Sequence, residues 1–107
     1  MEKIEKITDL YQLYISPVIL KDFRLSPVDR LLIAIIAAFD KGRRGCWLNN
    51  ATLGRLANCS SGTVSRSVNK MYNFGHITVN RQSTINGGRS YMRKVAPYVK
   101  RKYAESI

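Results

Sequence analysis

Apolar positions recur along this chain in two rhythms, a helical one through its first two thirds and an alternating one after it. Residues 1–15 carry Ile4, Ile7, Leu10, Tyr11 and Tyr14 at spacings near three or four. That is a helical period with weak ends, and residues 11–15 read equally well as a short strand. Ser16-Pro17 opens a short helical turn, because serine caps and proline fits the first helical position. Ser26-Pro27 repeats the signal. Asp29 follows three residues after Ser26, an acidic version of the capping box that also suits the positive helix end. The helix predicted there runs through LLIAIIAAF to about Asp40 and stops before Gly42. Leu31, Leu32, Ile35, Ile36 and Phe39 form its main apolar face, and Ile33, Ala34, Ala37 and Ala38 make much of the other side apolar too. A helix apolar nearly all round is buried. It is the expected central core helix, its second side covered by residues 4–20 or by a second subunit.

Lys-Gly-Arg-Arg-Gly (41–45) reads as a loop, and Cys46-Trp47-Leu48 as a brief strand-like piece with Trp47 in core or hinge packing. Asn49 or Asn50 caps a short helix over 51–57, with Leu53 and Leu56 facing inward. Asn58-Cys59 is a tight turn. Ser60 caps the next helix, whose Val64, Val68 and Met71 fall at i, i+4 and i+7 and face the core. Asn73-Phe74-Gly75 ends it, with Gly75 as the cap. Residues 76–81 alternate like a strand, Asn86-Gly87-Gly88 is a turn, and residues 89–93 are the returning strand. Residues 95–107 are basic and poorly periodic, and predict a short helix or a mobile tail.

Composition narrows the function. The 107 residues make one domain. The net charge is +11, from 18 Lys and Arg against 7 Asp and Glu. The excess is not spread evenly. Residues 1–40 hold six acids and five bases, whereas residues 41–107 hold thirteen bases and one acid, Glu105. Surfaces built only for solubility mix both signs. A long acid-free stretch points to a polyanionic partner. The first ten residues lack a signal-peptide core, and the longest apolar run, residues 31–39, is too short to span a bilayer. Two cysteines without an export signal suggest reduced thiols in a cytoplasmic protein. No membrane partner is expected.

Two short helices joined by about four residues match a helix-turn-helix, and the basic hairpin after them supplies a wing. With LSPVDRLLIAII, WLNNATLGRLANCSSGTVSRSVNKMYNFGHITV and GGRSYMRK in these places, the chain resembles the winged helix-turn-helix DNA-binding proteins. It looks most like the branch of phage and plasmid replication initiators and small regulators. The resemblance covers Leu25 to Arg93. Gly54 stands where such helices usually have Ala, Asn58 where the turn is usually Gly, and His76 where an aromatic is more usual. The expected fold is mainly α with a small β-hairpin wing. Residues 1–24 form an extension packing on the core or a partner subunit, 25–94 the winged helix-turn-helix domain, and 95–107 a basic tail.

The candidate interface follows from helical geometry. With Val64, Val68 and Met71 inward, Ser61, Ser65, Arg66, Asn69 and Lys70 lie on exposed sides. Arg suits guanine and Asn suits adenine in the major groove. Ser60, Ser61 and Thr63 sit by the free amides of the helix start, which hold phosphate well, and Gly62 allows close approach. Arg81, Gln82, Gly87, Gly88, Arg89 and Arg93 make the wing, for phosphate or minor-groove contact. Arg43, Arg44, Asn49 and Asn50 are further backbone candidates. Cys46, Cys59 and His76 lack the spacing and the fourth ligand of a zinc site. No metal, cofactor or small-molecule ligand is expected. His76 reads as a strand residue with no carboxylate nearby, and no motif suggests an enzyme. The predicted function is sequence-preferring binding of double-stranded DNA, as a regulator for a mobile element. The alternatives are a replication-initiator DNA-binding domain, a protein-docking adaptor or an RNA binder. A homodimer is expected, because paired half-sites raise affinity.

Overall fold

The computed structural model describes residues 13–40, 45–83 and 89–100, with the backbone alone over 80–83 and 89–92. Four helices come first: α1 (Pro17–Lys21), α2 (Pro27–Phe39), α3 (Asn50–Ala57) and α4 (Ser61–Asn73). Strands β1 (Ile77–Ser83) and β2 (Arg89–Val95) then pair antiparallel, and a 3-10 helix (Pro97–Lys100) follows. The chain is mainly helical with a two-stranded hairpin, the arrangement of a winged helix-turn-helix. Among the described residues no helix is long and apolar enough to cross a membrane.

Local chemistry starts each helix. Ser16, Ser26, Asn49 and Ser60 are all extended N-caps, each accepting the backbone N–H three residues on. At Ser26 the capping box is complete: Ser26 Oγ accepts from Asp29 N (3.1 Å) and Asp29 Oδ2 accepts from Ser26 N (2.8 Å). The predicted strand or helix near residues 11–15 has no counterpart in 13–15, which are irregular; residues 1–12 lie outside the described chain.

Leu32, Ile33, Ile35 and Ile36 of α2 are fully buried and share one core with Leu53, Val64, Met71 and Ile77. The second side of α2 meets the 3-10 helix, and α1 packs on that same segment. Ile19 and Val99 are buried there. Of the two expectations for residues 95–107, a short helix or a mobile tail, residues 97–100 form the short helix and place Val99 in the core; 101–107 lie outside the described residues. Asp40 caps the other end of α2, at 3% exposure. A carboxylate at a helix C-terminus faces an unfavourable dipole. Here it accepts the Val95 N–H (2.8 Å) and pairs with Lys94 and Lys100, so the end of α2 is tied to β2 and the 3-10 helix.

Cys46 forms a one-residue bridge beside β2, exchanging backbone hydrogen bonds with Arg93. Cys46 and Leu48 point inward, so the two-residue period of extended chain turns Trp47 outward. It is 44% exposed, which corrects the expectation of core packing. Burial pushes the Cys46 thiol up to about 11, beyond useful nucleophilic reactivity at neutral pH.

Candidate nucleic-acid interface

The turn between α3 and α4 sets the angle of the presented helix. Asn58 takes the left-handed conformation (φ 58°). Asn58 N donates to Arg55 O and Cys59 N to Gly54 O (2.8 Å), closing the end of α3 as a Schellman motif. A Cβ on residue 54 would lie 2.5 Å from the Cys59 carbonyl oxygen. Gly54 is thus what lets the turn fold back so tightly, and the departure from Ala has a steric reason. The end of α4 repeats the motif, with Gly75 at φ +84° and His76 N donating to Met71 O (2.9 Å).

Helix α4 buries Val64, Ser67, Val68 and Met71. Ser61, Gly62, Ser65, Arg66 and Asn69 are exposed, with Thr63 half-buried. Ser60 Oγ accepts from Thr63 N (3.1 Å) and shares a hydrogen bond with Thr63 Oγ1 (3.0 Å). Arg66 Nη2 donates to the same hydroxyl (3.2 Å), which holds its guanidinium beside the start of the helix. Ser60, Thr63 and Arg66 are thereby joined. Ser65 and Asn69 face the hairpin across a cleft of about 330 Å³ lined also by Asn50, Val68, Val79 and Arg93.

The wing divides. Arg81, Gln82 and Arg89 occupy strand positions opposite Tyr91, Ser90 and Ser83, and their side chains lie outside the described structure, as do Gly87, Gly88, Arg43 and Arg44. Arg93 needs a correction. Its side chain turns to α3 instead of outward and is 7% exposed. Nη1 donates to Leu48 O (3.1 Å) and Nη2 to Asn50 Oδ1 (2.6 Å). Successive strand residues face opposite sides, and position 93 falls on the side that meets the core. Arg93 anchors the hairpin to α3, and burial lowers its pKa. Asn50 is its acceptor, while exposed Asn49 spends its side-chain oxygen on capping α3. Lys70 also differs from expectation: Nζ lies 2.5 Å from Asp29 Oδ2, drawn toward α2.

Two features stayed hidden in the sequence. His76 stands just before β1, 4% exposed, and has a carboxylate partner from 54 residues away. Its Nε2 lies 2.8 Å from Asp22 Oδ2 and its Nδ1 2.7 Å from the Tyr98 hydroxyl. An ionised carboxylate only accepts, so Nε2 donates to it. Arg24 grips Asp22 through Nε (2.8 Å) and Nη2 (2.7 Å) and stacks on Phe74 at 3.8 Å. The Arg24 hydrogen bonds, then that of His76, hold the Asp22 carboxyl well below the usual carboxylate range. The second feature is charge placement. Asp22, Asp29 and Asp40 are the described carboxylates, and their side chains are 9%, 4% and 1% exposed. Each has a basic partner. The described outer surface consequently presents cations, Arg55 and Arg66 among them, with its carboxylates folded away.

Comparison with known proteins agrees with this geometry. A family model described as a helix-turn-helix domain matches residues 24–77, half of the chain. No curated protein matches. A solved structure described as a "possible transcriptional regulator" from Methanosarcina mazei Go1 is similar at 20% identity and a TM-score of 0.55, over 68% of this chain. The chain spans 57% of that protein's length, and the likeness is one of fold. By the match over its α2–α4 region, this chain belongs to the helix-turn-helix domain family.

Proposed function

We propose that the chain binds double-stranded DNA with sequence preference and acts as a transcriptional regulator. The observation that carries this reading is the outer row of α4, Ser61, Ser65, Arg66 and Asn69, on a described surface whose carboxylates are all withdrawn. Such a row fits the major groove, with Arg66 and Asn69 reaching base edges and Ser61 near phosphate. The hairpin stands beside that row, and Arg81, Gln82, Gly87, Gly88 and Arg89 are its proposed contacts to the flanking backbone. The similar structure, described as a possible regulator, supports the assignment. The resemblance to phage and plasmid regulators extends it to the control of a mobile element. The protein works by binding, without catalysis.

The test is selection of duplexes from random DNA by the purified chain, followed by anisotropy titrations of the selected and a shuffled duplex across a salt series. Enrichment of a motif, with binding to it outlasting the shuffled duplex as salt rises, is expected. Arg66→Ala is expected to cost ~1–3 kcal/mol and to relax preference at one base position. Equal, salt-fragile binding to both duplexes contradicts sequence preference. Absence of binding at low salt contradicts the DNA reading altogether.

A further inference from the structure

The contact between α2 and α4 contains a carboxylate with more partners than a helix cap requires. Asp29 is held in place by its own helix start, where the capping box fixes it against Ser26. From there Oδ1 accepts from Ser67 Oγ (2.5 Å) and Oδ2 from Lys70 Nζ (2.5 Å). Both partners lie on α4, 38 and 41 residues further along. Asp29 is 3% exposed and Ser67 equally buried, so this polar joint sits inside the core. Lys70 keeps its stem at the surface, with its side chain 39% exposed, but its ammonium is turned in to the carboxylate.

We propose that Asp29 is a positioning residue for DNA reading: it sets the rotation of α4 on α2 and withholds the Lys70 charge from the DNA backbone. The proposal rests on the DNA-binding reading above. Residues of an α-helix succeed one another by about 100°. Arg66 and Asn69 each precede an anchored residue by one position, so the anchors at 67 and 70 fix where the two readers point. Apolar contacts resist separation of the helices but are non-directional, and they tolerate small rotations. A charged hydrogen bond at 2.5 Å tolerates less. At the outer radius of a helix, roughly 5 Å, a 20° rotation moves a side chain by about 2 Å, enough to lose a paired base contact. Burial opposes ionisation of Asp29, but its bonds from Lys70, Ser67 and Ser26 outweigh that, and its pKa is lowered overall.

The second half of the proposal has a signature that a purely structural role lacks. Each lysine placed on a phosphate steepens the dependence of log K on log salt by about 0.9. Lys70, held by Asp29, contributes nothing to the wild-type slope. Asp29→Asn removes the charge and frees the ammonium. In the folded variant, checked by circular dichroism, the slope on a shuffled duplex is expected to steepen by about 0.9. The preference for the selected duplex over the shuffled one falls on the order of tenfold, the loss typical of one misread base pair. A folded Asp29→Asn with unchanged slope and unchanged preference overturns the proposal. If this variant does not fold, Lys70→Gln decides. Its slope is expected to equal that of the wild type, and a slope shallower by about 0.9 would place Lys70 on phosphate and overturn the proposal. Failure of the wild type to bind any duplex removes the DNA reading, and this role with it. Wild-type binding with an unaltered Asp29→Asn removes the positioning role alone.

Discussion

Residues 13–40 and residues 45–100 use charge in opposite ways. The first region holds the described carboxylates, Asp22, Asp29 and Asp40, and sends each of them inward to a different element of the second. Asp22 reaches His76 before β1, Asp29 reaches Ser67 and Lys70 of α4, and Asp40 reaches the backbone of β2 with Lys94 and Lys100. The second region has no acid, and of its described bases Arg55, Arg66 and Lys100 are exposed. Among the described residues negative charge works as internal joinery: it ties the first region to the hairpin and α4, and it leaves every described carboxylate withdrawn from the outer surface. An exposed surface ion pair is worth little to stability. These pairs bury the carboxylate, so losing one leaves polar groups stranded in the core.

The division can be broken at its deepest joint first. Asp40→Ala strands the Val95 N–H and removes the partner of two lysines, and is expected to cost about 3 kcal/mol in urea unfolding. A loss below ~1 kcal/mol would mean that water replaces the carboxylate easily. Gly54→Ala tests the turn that aims α4. The new methyl meets a backbone oxygen that cannot swing aside, so about 2 kcal/mol of destabilisation is expected, along with weaker DNA binding. A neutral result would show that α3 and α4 can shift apart without loss.

The smallest effect sharpens the comparison by pH. The folded pKa of Asp22 lies below its unfolded value near 3.9. Its contribution to stability is therefore complete above that value and is lost as pH falls through it toward the folded value. Asp29 is shifted in the same direction. Melting temperature should hold between about pH 5 and 7 on their account and decline below about pH 4. Asp22→Asn should lie below the wild type at neutral pH and converge on it in acid. Parallel curves at all pH values would assign the acid loss to other groups.

The helices were legible in the sequence because their starts are local. Ser16, Ser26, Asn49 and Ser60 each bond an amide three residues away, within reach of a motif. The turn between α3 and α4 was legible for the same reason, as was the inward row Val64, Val68, Met71. What pattern reading missed is non-local. Asp22 and His76 are 54 residues apart, and Arg93 finds Asn50 across 43. Nothing in the spacing of residues 89–93 says that one arginine of a basic strand turns to the core. Lys70 belongs to the same class: helical period put it on an exposed side, and only the packing of α4 on α2 shows that its charge is already spoken for by Asp29. Trp47 failed for a different reason: core packing was expected of a large aromatic, whereas the extended backbone that buries Cys46 and Leu48 turns it outward.

In the proposed function the outer row of α4 meets DNA, whereas Ile15, Val18 and Phe23, apolar residues exposed in and beside α1, do not. Amide and side-chain chemical-shift mapping on a ¹⁵N-labelled chain, titrated with the selected duplex, tests this directly. The largest changes are expected at Ser61, Ser65, Arg66 and Asn69, with Ile15, Val18 and Phe23 unmoved. Changes centred on those three apolar residues, with α4 silent, would contradict it.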